Sequence, residues 1–116
     1  MSKHLAFWNY NKGIYLNNRQ VYTESCCSLE IEGLVKLPIG AILDRTEQKF
    51  SDWQKLDDYS YESDRGSFTI ITTPTAVIFD CGEGMQVNDL NKIIDIMLEF
   101  DCPCYSPEIN VRFDGI

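Results

Sequence analysis

Between Asp52 and Asp64 the chain carries five carboxylates, Asp52, Asp57, Asp58, Glu62 and Asp64, with Lys55 as the only basic residue among them. Three large rings, Trp53, Tyr59 and Tyr61, are interleaved. This mixture suits gripping a basic protein better than it suits a catalytic pocket. Tyr and Trp concentrate in binding hot spots because one ring buries much area at a small entropy cost. Carboxylates around them steer a basic partner and raise its association rate. A partner of that charge is typically a nucleic-acid-processing enzyme, and carboxylates at such spacing also imitate phosphates. The plain alternative is a solvated loop that keeps a small protein soluble.

A second place for chemistry is Asp80-Cys81-Gly82-Glu83-Gly84, directly after an apolar run. A carboxylate at a strand end followed by glycines can bind Mg²⁺ or accept a proton. A phosphate loop does not fit, because a third glycine at the needed spacing and a Lys-Ser/Thr pair are absent. The alternative is a glycine-rich turn with acids facing solvent. Cys102-Pro103-Cys104 invites a redox or zinc reading. Redox thiols usually sit at a helix N-terminus, however, and this pair follows a predicted helix C-terminus, with Glu99 and Asp101 beside it. Structural zinc favours C-x₂₋₄-C spacing, which occurs nowhere here. Cys26, Cys27, Cys81, Cys102 and Cys104 are therefore expected as reduced thiols, an odd number that no disulfide framework uses up. The single histidine, His4, would have to serve any Cys/His or Ser/His enzyme, with Cys81 its more plausible partner. A surface histidine near the terminus is the simpler expectation.

Charge narrows the partners. The chain has 116 residues, with 18 acidic against 10 basic, for a net charge of −8. The basic residues are scattered and no two are adjacent, so neither a nucleic-acid backbone nor an anionic membrane finds a basic patch. Apolar residues at 44% and charged residues at 24% are ordinary for a folded domain. No apolar stretch is long enough for a signal peptide or a bilayer span, which makes the cytoplasm the expected compartment.

The elements that must position these residues are legible in part. Residues 4–8 and 13–17 are short and aromatic-rich, and Asn9-Tyr10-Asn11-Lys12-Gly13 between them predicts a hairpin. Asn17-Asn18 reads as a turn, Gln20 to Thr23 as a third strand, and the alternation in Leu29-Glu30-Ile31-Glu32 as a fourth, ended by Gly33. Pro38 suits the first residue of a helix. Ile39, Ile42, Leu43, Phe50 and Trp53 then hold one face at 3.6 residues per turn, so the helix is predicted to run to Trp53 or Leu56. Ser63-Asp64-Arg65-Gly66 is a turn. Phe68–Thr72 and Ala76–Phe79 form a central hairpin around Thr73-Pro74-Thr75. Asn88 is the predicted N-cap of a helix with a stripe of Leu90, Ile93, Ile94, Met97 and Leu98. Residues 101–107 are irregular, and Ile109, Val111 and Phe113 alternate as a last strand.

The sum is a single domain, 1–116, of α+β class: a mainly antiparallel sheet of about five to seven strands with two amphipathic helices packed on one face. The expected function is a small, acidic, non-enzymatic protein-binding module without cofactor or metal. Its profile suits a bacterial immunity-type inhibitor that neutralises a basic toxin enzyme such as a nuclease. Asp52, Trp53, Asp57, Asp58, Tyr59, Tyr61, Glu62 and Asp64 would form the partner-binding surface. Two alternatives stand beside it. One is a small enzyme or ligand-binding domain using Asp80 and Glu83. The other is an adaptor or subunit that docks by strand addition at a sheet edge.

Overall fold

The computed structural model describes residues 3–82 and 84–113. Its elements run β1 (Lys3–Trp8), α1 (Asn18–Cys26), α2 (Ile39–Lys49), β2 (Gln54–Asp57), β3 (Ser60–Ser63), β4 (Gly66–Thr73), β5 (Ala76–Cys81), α3 (Val87–Leu98), β6 (Cys104–Ser106) and β7 (Val111–Phe113). The seven strands make one antiparallel sheet in the order β2-β3-β4-β5-β1-β6-β7. The α+β class and the antiparallel sheet are as the sequence predicts.

Strand alternation sorts the side chains onto two faces. Leu5 and Phe7 of β1 pair with Phe79 and Val77 of β5 and join Phe68, Ile70 and Cys81 under the helices α2 and α3. Ile42 and Phe50 from the α2 segment, and Ile93, Ile96 and Met97 from α3, close this larger core. These are the two amphipathic helices expected on one face. Ala6 and Trp8 point the other way, onto Ala76, Ile78 and Tyr105, and a third helix, α1, covers them with Val21, Tyr22 and Cys26.

That third helix corrects the expectation of a strand at Gln20–Thr23. Asn17, read as a turn residue, is its N-cap, and its side chain accepts the Gln20 N–H at 3.0 Å. Val21 and Ser25, one turn apart, are the residues it buries. Tertiary burial of that face outweighs the local β preference of Val21, Tyr22 and Thr23. Residues 13–17 form no strand. Beyond Trp8 the chain instead pairs briefly with residues 33–35, through the Tyr10–Leu34 bridge and the bond from the Val35 N–H to the Asn9 carbonyl at 2.8 Å. Leu29–Glu32 is likewise no strand. It follows Ser28 at φ +61°, and the Leu29 N–H is taken by the Glu24 carbonyl of α1.

Helix α2 starts one residue after Pro38 and stops at Lys49, short of the predicted end. Phe50 and Trp53 keep their buried places, but on a turn in which the Trp53 N–H bonds the Phe50 carbonyl at 3.0 Å. Helix α3 begins at Val87 with Gln86 as its N-cap, so Asn88 lies inside the first turn and not at the cap. Lys92 of α3 reaches the Lys49 carbonyl at 3.4 Å, satisfying a free helix-end acceptor of α2. Residues 104–106, expected as irregular, form the short strand β6, held by β1 and β7.

Gly40 sits in the exposed first turn of α2, and a Cβ there would meet nothing within 4 Å. Gly40→Ala should therefore stabilise the protein by about 0.5–1 kcal/mol, by restricting the unfolded chain and favouring the helix. A urea titration reads this as a higher midpoint at unchanged slope.

Candidate functional site

The acidic segment folds as a hairpin at the edge of the sheet, not as a loop. Strand β2 pairs only with β3, and all four of its residues are exposed. The turn is set by Asp57, whose Oδ1 accepts the Tyr59 N–H at 2.8 Å, an Asx turn that the Asp side chain favours. The register slips between Lys55 and Asp57, which leaves Leu56 as an extra, exposed residue.

The three rings do not share one role. Trp53 is 5% exposed and Tyr61 is 2% exposed, so both belong to the core. Trp53 packs on Phe50 and Phe68 with ring centroids 5.2 and 5.5 Å away, and Tyr61 stacks on Phe68 at 5.1 Å. Their expected place as exposed anchors is corrected: they hold the hairpin onto the sheet from beneath. Tyr59, 42% exposed at the turn, is the one ring of the three left to a partner.

The carboxylates divide as well. Asp58, Glu62 and Asp64 are exposed, as is Asp57 apart from its turn bond. Asp52 meets the Arg65 guanidinium at 3.2 Å, and the hydrogen bond from Arg65 holds its carboxyl below the usual range. Arg65 also lies 3.4 Å from Asp89, whose side chain is 7% exposed in the first turn of α3, and 5.5 Å over the Trp53 ring. Asp52 is thus tied into a structural network between the hairpin and α3. Lys55 is no obstacle to a basic partner, because its ammonium is already met by Glu47 at 3.1 Å and Asp58 at 3.6 Å. These groups, with Asp44 of α2 and Tyr59, line a cleft of about 250 Å³ between α2 and the hairpin. On the opposite face of the sheet, α1 covers β5, β1 and β6, while Glu62, Ser67 and Thr69 of β3 and β4 stay open to solvent.

The other candidate groups separate. Asp80 does not stand alone at its strand end: it is the cross-strand partner of His4, with Oδ1 3.3 Å from Nε2. His4 is half-buried and also bonds the Tyr22 hydroxyl at 2.5 Å, so it is not a plain surface histidine. Cys81 lies next to Asp80 but points to the opposite face, into the core, which rules it out as a partner for His4. Glu83 lies outside the described residues. Gly82 is packed tightly, since a Cβ there would come within 2.9 Å of Ser67 Oγ.

All five cysteines are free thiols. Cys81, Cys102 and Cys104 are buried, and burial pushes their thiols up to about 12, 12 and 11. They pack in the larger core. Among the described residues no three His, Cys, Asp or Glu side chains are grouped to hold a metal ion. No described helix is long and apolar enough to cross a membrane. No protein-family model matches the chain, and no curated protein matches it in sequence.

The His4–Asp80–Tyr22 cluster was missed in the sequence. Its members come from β1, β5 and α1, and only the β1–β5 register and the unforeseen helix bring them together. What the residues did offer was the charge density of the hairpin, which says nothing about which ring faces inward.

Proposed function

We propose that the chain is a small, non-enzymatic, cytoplasmic protein-binding module that grips and neutralises a basic partner, in the manner of a bacterial immunity-type inhibitor of a toxin enzyme such as a nuclease. The observation behind this reading is the β2–β3 hairpin. It is an unpaired sheet edge with exposed Asp57, Asp58, Glu62 and Asp64, and its one lysine is already neutralised. Tyr59 and Leu56 stand exposed among these charges and supply apolar contact area. Trp53 and Tyr61 stiffen the hairpin from below, so that little ordering is needed on binding. Exposed carboxylates act mainly on encounter, and salt screens them.

The test keeps Asp57, because it builds the turn, and reverses Asp58, Glu62 and Asp64 to lysine. Wild-type protein should capture a basic partner from a lysate of its native host at low salt, and the triple variant should lose it. With that partner purified, the variant's association rate should fall by about ten- to a hundredfold at low salt, while dissociation changes less. An unchanged association rate would remove the hairpin from the interface.

A further inference from the structure

The hairpin that carries the exposed carboxylates is also an edge of the sheet. Strand β2 pairs with β3 alone, so its outward-turned N–H and C=O groups meet no neighbouring strand among the described residues. An edge of this kind is a template for a further strand. Alternation sorts what lies on either side of it. Lys55 stands opposite Tyr61, on the side of the sheet that α2 covers, where the cleft of about 250 Å³ is lined by Asp44, Glu47, Asp58 and Tyr59. Gln54 stands opposite Glu62, on the side left open to solvent. Lys55 already serves Glu47 and Asp58. The exposed Asp44 carboxylate has no ion pair among the described residues. The cleft therefore keeps a net negative charge, beside a Tyr59 ring that is half-exposed.

We propose that β2 accepts an extended basic segment of the partner as a further antiparallel strand, whose alternate side chains are arginines that enter the α2–hairpin cleft. This rests on the reading of the hairpin as the grip on a basic protein, and it states how the grip is made. Main-chain hydrogen bonds along an edge supply affinity, and pockets for alternate side chains supply specificity. A guanidinium fork matches a carboxylate in two parallel hydrogen bonds and also stacks on an aromatic face. Asp44 and Tyr59 offer both in one cleft.

The same charges reject other strands. Two copies of β2 side by side would set carboxylates against carboxylates, and like charges on neighbouring strands repel. An apolar strand would desolvate the cleft carboxylates without giving them a partner. The bulge at Leu56 interrupts the regular register after Lys55, so the paired run is short and the charges carry much of the selection. The opposite edge, β7, lacks these features. Its three residues include no carboxylate, Val111 and Phe113 are exposed, and Arg112 is held by the Trp8 carbonyl and the rings of Trp8 and Tyr10. A basic strand finds its complement at β2 alone of the two edges.

The experiment titrates the alternating peptide Arg-Thr-Arg-Val-Arg-Thr-Arg into ¹⁵N-labelled protein at low salt. A peptide of the same composition with its arginines in two blocks, Arg-Arg-Thr-Val-Thr-Arg-Arg, is the charge control. The alternating peptide should bind roughly tenfold tighter than the control and slow amide exchange within residues 54–57. Two further peptides carry N-methyl groups on the arginines or on the residues between them. Because strand N–H groups alternate between the two edges, one series should lose binding and the other keep it. Asp44→Asn, an exposed and conservative change, should weaken the alternating peptide by roughly threefold or more, while Glu62→Gln on the open face matters less. The proposal is overturned if the alternating peptide does not bind up to about 1 mM, or if both N-methylated series bind like the parent or both fail. It is also overturned if the two unmethylated peptides bind equally. That last result would leave an acidic surface that attracts cations without pairing a strand, so it separates this inference from the reading on which it rests.

Discussion

Replacing Phe68 with alanine should cost about 3–5 kcal/mol of folding stability. Phe68 is the ring on which the others converge. Phe50 lies 4.8 Å from it, Tyr61 5.1 Å, Trp53 5.5 Å and Phe79 5.9 Å between centroids. Removing it opens a cavity walled by four aromatic groups on rigid elements, which cannot collapse to fill it. A domain of this size has about 5–15 kcal/mol in total, so the loss is a large share. Urea unfolding followed by tryptophan fluorescence should show it as a lower midpoint, with Trp53 reporting directly. The contrast with the hairpin charges is informative. Reversing Asp58, Glu62 and Asp64 changes only exposed groups and should alter stability by well under about 1 kcal/mol. A small effect of Phe68→Ala would mean that Trp53 and Tyr61 are not held as described.

Alkaline pH should unfold the protein well before its tyrosines and lysines titrate in the unfolded chain. The buried thiols of Cys81, Cys102 and Cys104 are raised to about 12, 12 and 11, with burial as the leading cause. In the unfolded chain each ionises near about 8.5. The folded state therefore holds protons that the unfolded state releases. The stability tied to these protons is fully present below about pH 8.5 and is lost as pH rises towards the folded values. Each such group steepens the loss by about 1.4 kcal/mol per pH unit, so three together give roughly 4 kcal/mol per unit. Urea midpoints measured from about pH 8 to about pH 10.5 should fall steeply. Cys104→Ala should remove about a third of the slope while costing some stability at neutral pH. A flat midpoint over that range would show that the three thiols ionise freely in the folded protein.

Parts of the fold could be read because local pattern and tertiary burial agree. Of the stripe Leu90, Ile93, Ile94, Met97 and Leu98, the first four face the core or its margin, while Leu98 at the helix end is exposed. Phe68–Thr72 and Ala76–Phe79 are apolar nearly throughout, and their strands lie inside the sheet, covered on both sides over much of their length. Helix α1 was illegible because Val21, Tyr22 and Thr23 favour strands locally. Its amphipathic face is narrow, and only the surface offered by Trp8, Ile78 and Tyr105 makes it worth burying. Trp53 carried its own warning. The spacing that puts it on the buried face with Ile42 and Phe50 argues against a place in an interface, and the structure follows that spacing even though the helix itself ends at Lys49. For His4 no local pattern was available. Its role depends on residues far away in sequence, which a single strand cannot announce.

The interior position of β1 in the sheet has a consequence for how the chain is made. Leu5 to Trp8 are completely buried between neighbours, yet those neighbours are β5, at residues 76–81, and β6, at residues 104–106. During synthesis β1 leaves the ribosome long before either strand exists, and it must wait with its apolar side chains and backbone groups unsatisfied. The β2–β5 meander can pair as it emerges, but β1 gains its second neighbour, β6, only when α3 has carried the chain back across the sheet. Such long-range pairing slows folding, and an apolar strand left waiting is where aggregation starts. The nascent protein should therefore lean on chaperones until nearly its last strand is out, although in the finished fold Leu5 to Trp8 are buried.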